Sequence, residues 1–397
     1  MLFRDLLNQA LHDKRSEFGL YFERSAAERE YYLTTLNSIA AAPLADVLGT
    51  LADADNCGGV PSEEIERHGS LVFEFEYDWQ NHEQAREWAA DVLAGRTTFA
   101  ADGSQIFAGR ETTLPVAAIQ VGWFENPHDA SKPYEKNARF EVLSPEDLIA
   151  GDDEPLNPET RVGERRFHAE VRRAAEFLSK AKGWRERGER MPLAFFDGTL
   201  LVSFALPRTS IQESFIQAMV NLVRHSRECE VPIVGYVDRS FARDLLSLAE
   251  TYSPAGKPEQ KNLFDASVLQ SAIVSWGGRT GFFYSRRKGL GAFEDSSTGR
   301  PTVGFVYLRT TANSVPVRLD VPAWIFEAGL LDEIVDVVRA ECVIGVGYPY
   351  ALETADQTAV ISTRDREVFV RALQDFANRE KLEFNISRKN ESKGRRR

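Results

Sequence analysis

Two segments of this 397-residue chain share one design. Phe99-Ala100-Ala101-Asp102-Gly103-Ser104 and Ala194-Phe195-Phe196-Asp197-Gly198-Thr199 each run apolar residues into Asp-Gly-Ser/Thr. Each then resumes an apolar run, Gln105 to Ala108 and Leu200 to Phe204. The pattern reads as a buried strand with an Asp at a sharp turn or hairpin edge, where Gly permits a bend that a Cβ would obstruct. Ordinary Asp-Gly hairpin turns are written with the same letters. The alternative that carries chemistry is a pair of carboxylates displayed in one sheet, which could hold a divalent metal.

Composition narrows the partners. With 60 acidic against 48 basic side chains the net charge is -12, so the chain does not coat nucleic acid by bulk charge. Any contact with DNA needs a local basic groove or a partner. Cys57, Cys229 and Cys342 lie far apart and form no C-x-x-C pair, which argues against a disulfide framework or zinc site and favours a reducing compartment. The apolar run Leu114 to Phe124 is too short to span a bilayer, and the charged N-terminus has no signal-peptide core. The expectation is a soluble cytoplasmic protein.

Residues 1–95 read as mostly helical. Leu2, Leu6, Leu7 and Leu11 share a helix face, and Ala26 to Leu51 continues as helix with Ser25 as N-cap. Asn56 to Pro61 reads as a break, Leu71 to Tyr77 as a strand, and Glu63 to Arg67 and Glu83 to Leu93 as helices. From Thr97 strands alternate with helices: strands at Val116–Phe124, Ala138–Leu143, Leu193–Ala205 and Pro232–Val237, helices at Glu164–Lys182 and Ser214–Cys229. Such alternation indicates an α/β core with a mixed sheet flanked by helices. Thr251 to Asn262 reads as a linker. Strands are expected at Phe282–Tyr284, Val303–Arg309 and Val315–Leu319, and helices at Ile325–Ala340, Tyr350–Ile361 and Asp365–Asn378. Residues 381–397 read as a basic, disordered tail.

Glu164, Glu170 and Glu176 all lie on the helix between the two Asp-Gly segments, and periodicity cannot choose among them. Asp356 lies on a late helix, after Gly345-Val346-Gly347-Tyr348-Pro349. If Asp102, Asp197, one helical Glu and Asp356 converge, four carboxylates form a cage suited to Mn²⁺ or Mg²⁺. Two such ions about 3.5–4 Å apart would clamp the attacking and leaving oxygens of a phosphodiester.

The ordered set of motifs resembles the NurA family of DNA-end-processing nucleases. The matching pieces are A-A-D-G-S-Q at 100–105, R-F-H-A-E-V at 166–171, F-F-D-G-T-L at 195–200 and P-I-V-G-Y-V at 232–237. They continue with D-A-S-V-L at 265–269, G-G-R-T at 277–280, V-R-L-D-V-P at 317–322 and G-Y-P-Y-A-L-E-T-A-D-Q-T-A-V-I-S at 347–362. The match spans roughly residues 97–370, within an expected nuclease domain of 96–380.

The resemblance implies an RNase H-like fold, a homodimer, and Mn²⁺-dependent 5′-to-3′ exonuclease activity with endonuclease action on single strands. It also implies resection of DNA ends for double-strand break repair with a hexameric ATPase translocase of the HerA type. By position, Asp102, Glu170 and Asp197 match the family's metal carboxylates, and Tyr348 a tyrosine near the site. Asp356 stands where the family usually has a histidine, so an anionic oxygen ligand replaces an imidazole.

Arg279 and Arg318 match recurrent family positions and could meet phosphates, with a structural ion pair as the other reading. Arg286, Arg287 and Lys288 sit in a Gly-flanked loop that could touch a DNA backbone or simply be solvated. No Walker A lysine motif or dinucleotide fingerprint is present, so ATP-driven motion must come from a partner. The N-terminal helices are the expected docking or dimer surface. Two other functions fit the same letters: a weakened subunit that docks DNA ends or the translocase, and an RNase H-like nuclease acting on RNA or hybrids.

Overall fold

The structure, a computed structural model, describes residues 3–54, 56–77, 79–107, 115–149, 158–204, 208–258 and 262–383. The chain divides into two compact units: residues 1–78 with 237–326, and residues 79–236 with 327–397. Ala108, at the end of the first apolar run, and the basic tail from Ser387 lie outside the described residues.

The first unit opens with α1 (Arg4–Asp13), α2 (Arg15–Ala41), α3 (Leu44–Leu51), β1 (Gly58–Pro61), α4 (Glu63–His68) and β2 (Val72–Phe73). Ser25 does not cap a helix; it is buried in the middle of α2. The expected helix from Ala26 to Leu51 is broken before Pro43, whose ring forces Ala42 to an extended ψ of 151°. Asn56 to Pro61 is not only a break, because β1 pairs antiparallel with a later strand. The Leu71–Tyr77 strand shrinks to two residues. The apolar face of α1 is solvent-exposed, with Leu6 at 66% and Leu11 at 50%.

The second unit begins with α5 (His82–Leu93), capped by Asn81 Oδ1, which accepts from the Glu83 and Gln84 amides. Then come β3 (Thr98–Ile106), β4 (Ala117–Asn126), β5 (Glu135–Leu143), α6 (Pro145–Ile149), α7 (Pro158–Ala181), β6 (Leu193–Asp197), α8 (Ser210–Cys229) and β7 (Ile233–Val237). Their sheet order is β5-β4-β3-β6-β7. β3, β4 and β5 form an antiparallel meander, while β6 is parallel to β3 and β7 to β6. This is the RNase H-like arrangement that the resemblance implies. β4 extends the apolar run that marked it in the sequence.

The chain returns to the first unit for α9 (Asp244–Tyr252), α10 (Asp265–Leu269), β8 (Arg279–Thr280), β9 (Phe283–Arg286), β10 (Val303–Leu308), β11 (Val317–Pro322) and α11 (Ala323–Glu327). α9 enters the stretch read as a linker. In this unit β1, β9, β10 and β11 lie side by side, each antiparallel to the next. Its core joins Tyr32, Leu36 and Ile39 of α2 to Leu245 and Leu248 of α9 and to Phe283, Phe305 and Tyr307 of the strands. The second unit closes with α12 (Leu331–Ile344), α13 (Tyr350–Ala359) and α14 (Thr363–Glu380). Gly329, with φ 71°, divides what reads in sequence as one helix over Ile325–Ala340.

Strand alternation sorts the second unit's packing. Phe99 of β3 stacks on Phe177 of α7 at 4.6 Å between ring centroids, and Gly103 lies under α7 on the same face. Even-numbered positions of β3 point to the opposite face, where α13 packs. Gly122 of β4, registered with Asp102, lies against α13: a Cβ there would stand 2.5 Å from the Ala359 nitrogen.

Candidate active site

Asp102 does not sit at a turn. It lies in mid-strand, paired antiparallel with Gly122, because β3 is held by β4 on one side and β6 on the other. Those two ladders outweigh the local turn preference of Asp-Gly. Gly103 therefore serves clearance rather than bending: a Cβ on it would overlap Glu170 Oε1 and stand 2.8 Å from Arg166 Cγ. The missing side chain lets Glu170 of α7 reach the strand beside Asp102.

The second Asp-Gly behaves differently. Asp197 is the last residue of β6 and Gly198 turns the chain at φ 115°, its amide donating to the Tyr236 carbonyl at 2.9 Å. Leu200–Phe204 follows in irregular structure, not as a second strand of a hairpin. Tyr348 Oη donates to Asp197 Oδ1 at 3.1 Å. The Tyr348 ring meets Tyr236 of β7 edge-on at 5.1 Å, which fixes the phenol's direction.

Asp356 arrives on α13, and its carboxyl is hydrogen-bonded to that of Asp102. α13 is anchored at both ends. Buried Glu341 of α12 accepts from the Ala351 amide at 2.9 Å in the helix's first turn. Gln120 of β4 donates to the Ala359 carbonyl at 3.1 Å in its last.

Burial pushes the Asp102 carboxyl up to about 6, helped by the charges of Asp197 and Asp356 and opposed by the Gly103 amide. Burial also raises Glu170 to about 7; Arg166 opposes the rise, while Asp102 and Asp197 add to it. Arg166 donates to the Gly103 carbonyl at 2.9 Å, and its Nε stands 3.5 Å from Glu170 Oε1. That Oε1 is buried and accepts no hydrogen bond. Burial and the neighbouring carboxylates thus oppose the ionised forms of Asp102 and Glu170, while Asp197 and Asp356 are exposed beside them.

A divalent cation answers that arrangement, and oxygen donors of this kind fit hard ions such as Mn²⁺ or Mg²⁺. Among the described residues no three His, Cys, Asp or Glu side chains already stand as a finished cage. The geometry accounts for this: Glu170 comes from the α7 face of β3, whereas Asp102 and Asp356 share the α13 face.

The other expected residues fall elsewhere. Glu164 pairs with Arg161 at 2.7 Å, and Glu176 with Arg139 and Arg173 at 3.4 and 3.6 Å, so of the three glutamates only Glu170 faces the aspartates. Arg279 and Arg318 belong to the first unit, 4% and 2% exposed. Arg279 is held by Glu64 at 2.5 Å, and Arg318 by Asp244 and Asp320 at 2.5 and 2.7 Å. The ion-pair reading therefore replaces the phosphate-binding one for both. Arg287 stands 3.7 Å from Asp244, and Arg286 ends β9, half-buried. Sequence reasoning missed Arg166, whose signal was its place four residues before Glu170. It also missed Glu341 and Gln120, whose partners are brought together only by the fold.

The NurA domain family model matches residues 96–361. Among solved structures, that of NurA with manganese is 10% identical at a TM-score of 0.39, covering 74% of this chain and 93% of that one. NurA bound to dAMP and manganese is 10% identical at a TM-score of 0.42, covering 71% and 88%. The catalytic domain of human Endonuclease V is 14% identical at 0.31, covering 79% and 95%. No curated protein matches the chain in sequence.

Proposed function

Because the chain belongs to the NurA family of nucleases, we propose that Asp102, Glu170, Asp197 and Asp356 hold Mn²⁺ or Mg²⁺ and that the site hydrolyses DNA phosphodiesters. The observation that carries this reading is the approach of the Asp102 carboxyl to those of Asp197 and Asp356, with Glu170 within charge range of Asp102 and Asp197 and its Oε1 buried without a hydrogen bond. When bound there, such ions would lower the pKa of an attacking water and offset charge on the leaving oxygen. The chain's own residues set the geometry. Asp102 and Asp197 are fixed by the sheet, and Tyr348 fixes the Asp197 carboxylate. Arg166, anchored on the Gly103 carbonyl, orients Glu170. Asp102, raised to about 6, would be ionised near neutrality and so able to serve as an anionic oxygen ligand.

The finer reading follows the family: 5′-to-3′ exonuclease action with single-strand endonuclease activity, in resection of double-strand breaks. The enzyme works as a homodimer in the cytoplasm and receives DNA from a HerA-type hexameric ATPase translocase. Support for the partner is that the chain has no Walker A lysine motif of its own. The free, buried Cys57, Cys229 and Cys342 suit a reducing compartment. Among the described residues no helix is long and apolar enough to cross a membrane.

The test is cleavage of 5′- and 3′-labelled single- and double-stranded DNA with Mn²⁺, Mg²⁺ or EDTA. Asp102→Ala is expected to lower Mn²⁺-dependent turnover by about a hundredfold or more while the fold survives. Undiminished turnover by clean Asp102→Ala protein would sink the proposal. The order in which the two end labels are released reads the polarity.

A further inference from the structure

The outer face of α7 carries a second feature that hydrolysis does not use. Arg161, Arg165, His168 and Arg172 recur at helical spacing along it, and Arg224 and His225 of α8 face them across a groove of about 660 Å³. At 100° per residue His168 and Arg172 share a face, and Glu170 between them points the opposite way, to the carboxylates. Acids answer part of this charge. Glu164 pairs with Arg161 at 2.7 Å, Glu228 with Arg224 at 3.6 Å, and Glu141 of β5 lines the groove. Arg165 keeps only a 3.9 Å approach to Asp147, and Arg172 is solvent-exposed. In a chain of net charge -12, two such weakly committed guanidiniums in one groove are a local reversal of sign.

At its His168 wall the groove borders a cluster of aromatic rings. The His168 and Phe215 rings lie 6.2 Å apart with planes inclined by 22°, Phe215 meets Phe167 at 4.6 Å and Phe204 at 6.3 Å, and Phe167 meets Phe196 edge-on at 6.1 Å. Phe196 is followed directly by Asp197. Guanidiniums for phosphates followed by half-buried rings for bases is the chemistry of single-strand binding.

We propose that the α7–α8 groove is the path of a single-stranded nucleic acid running to or from the carboxylate site. Arg165 and Arg172 meet its phosphates, and Phe215 with Phe204 stacks its bases. The inference rests on the hydrolytic reading for what happens at the strand's inner end, but the binding itself needs no cleavage.

The test is fluorescence anisotropy of a labelled oligothymidine in EDTA, across a salt series, with the full chain. Arg165→Ala/Arg172→Ala is expected to weaken binding about tenfold at low salt and to reduce the log–log salt slope by roughly 1.4, or about 0.7 per lost phosphate contact. Phe215→Leu keeps an apolar side chain but removes the stacking ring, and is expected to weaken binding severalfold with the slope unchanged. Arg4→Ala/Arg15→Ala, an equal charge change on α1 and α2, serves as control. Unchanged affinity and slope in the groove variant, or an equal loss in the control, overturns the groove. Because EDTA removes hydrolysis, this failure is distinct from failure of the Asp102→Ala cleavage test.

Discussion

Gly103 decides where Glu170 can stand. Alanine there has no strained backbone to fear, since its φ is not in the left-handed region, but its methyl would overlap Glu170 Oε1 and crowd Arg166. Overpacking of this kind costs about 1–3 kcal/mol. Displacing a site carboxylate by about 1 Å costs on the order of a hundredfold in rate. Gly103→Ala is therefore expected to fold, with a lowered melting temperature, and to lose about a hundredfold in Mn²⁺-dependent cleavage. Cleavage at the wild-type rate would mean that Glu170 has no part in the chemistry. Single residues were the hardest scale to read from sequence. The acids were legible as letters, and Glu170 was separated from Glu164 and Glu176 only by which face of α7 packs on β3. Arg279 and Arg318 look like phosphate ligands until Glu64 and Asp244 arrive from 215 and 74 positions away.

At the scale of elements, α13 matters because it carries Asp356 and must be seated to bring it to Asp102. Glu341 accepts from its first turn, and its other oxygen stands 3.6 Å from His128 Nε2. Burial raises the Glu341 carboxyl, with His128 pulling the other way. Glu341→Ala leaves helix amides unanswered in the core, at a cost of about 1–3 kcal/mol. Denaturant unfolding should show that loss, and titration calorimetry a weaker Mn²⁺ affinity; Glu341→Gln, which keeps an acceptor, should restore most of both. Unaltered Mn²⁺ affinity in the alanine variant would separate α13's seating from the metal. Elements with one strong apolar period, such as β4 and α8, were legible in sequence. Asp102-Gly103 reads locally as a turn but strand pairing outweighs that preference, and Ser25 reads as an N-cap but its burial inside α2 overrides that tendency.

For the whole molecule, the carboxylate cluster works against folding when no cation is present. Asp102 and Glu170 titrate near 6 and 7 in the folded chain, above the ordinary 3.8 and 4.5. Between those values the folded state holds more protons than the unfolded state, so unfolding free energy falls as pH rises. In EDTA, melting temperature followed from pH 4 to pH 8 should therefore decline more for the wild type than for Asp102→Asn/Glu170→Gln. Mn²⁺ at pH 8 should raise the wild type and leave the double variant unmoved. Parallel pH curves would contradict the burial-driven shifts.

The glycine under α7 also bears on how relatives of this chain are to be judged. Codon for codon, it is a single base from alanine, and the exchange leaves every acid of the site in place. A survey that counts carboxylates would pass such a sequence as intact, although its glutamate no longer has room to reach the strand. On the proposed reading of Glu170, a methyl group at this position is therefore a sign to weigh beside the acids themselves when related chains are sorted into working and retired enzymes.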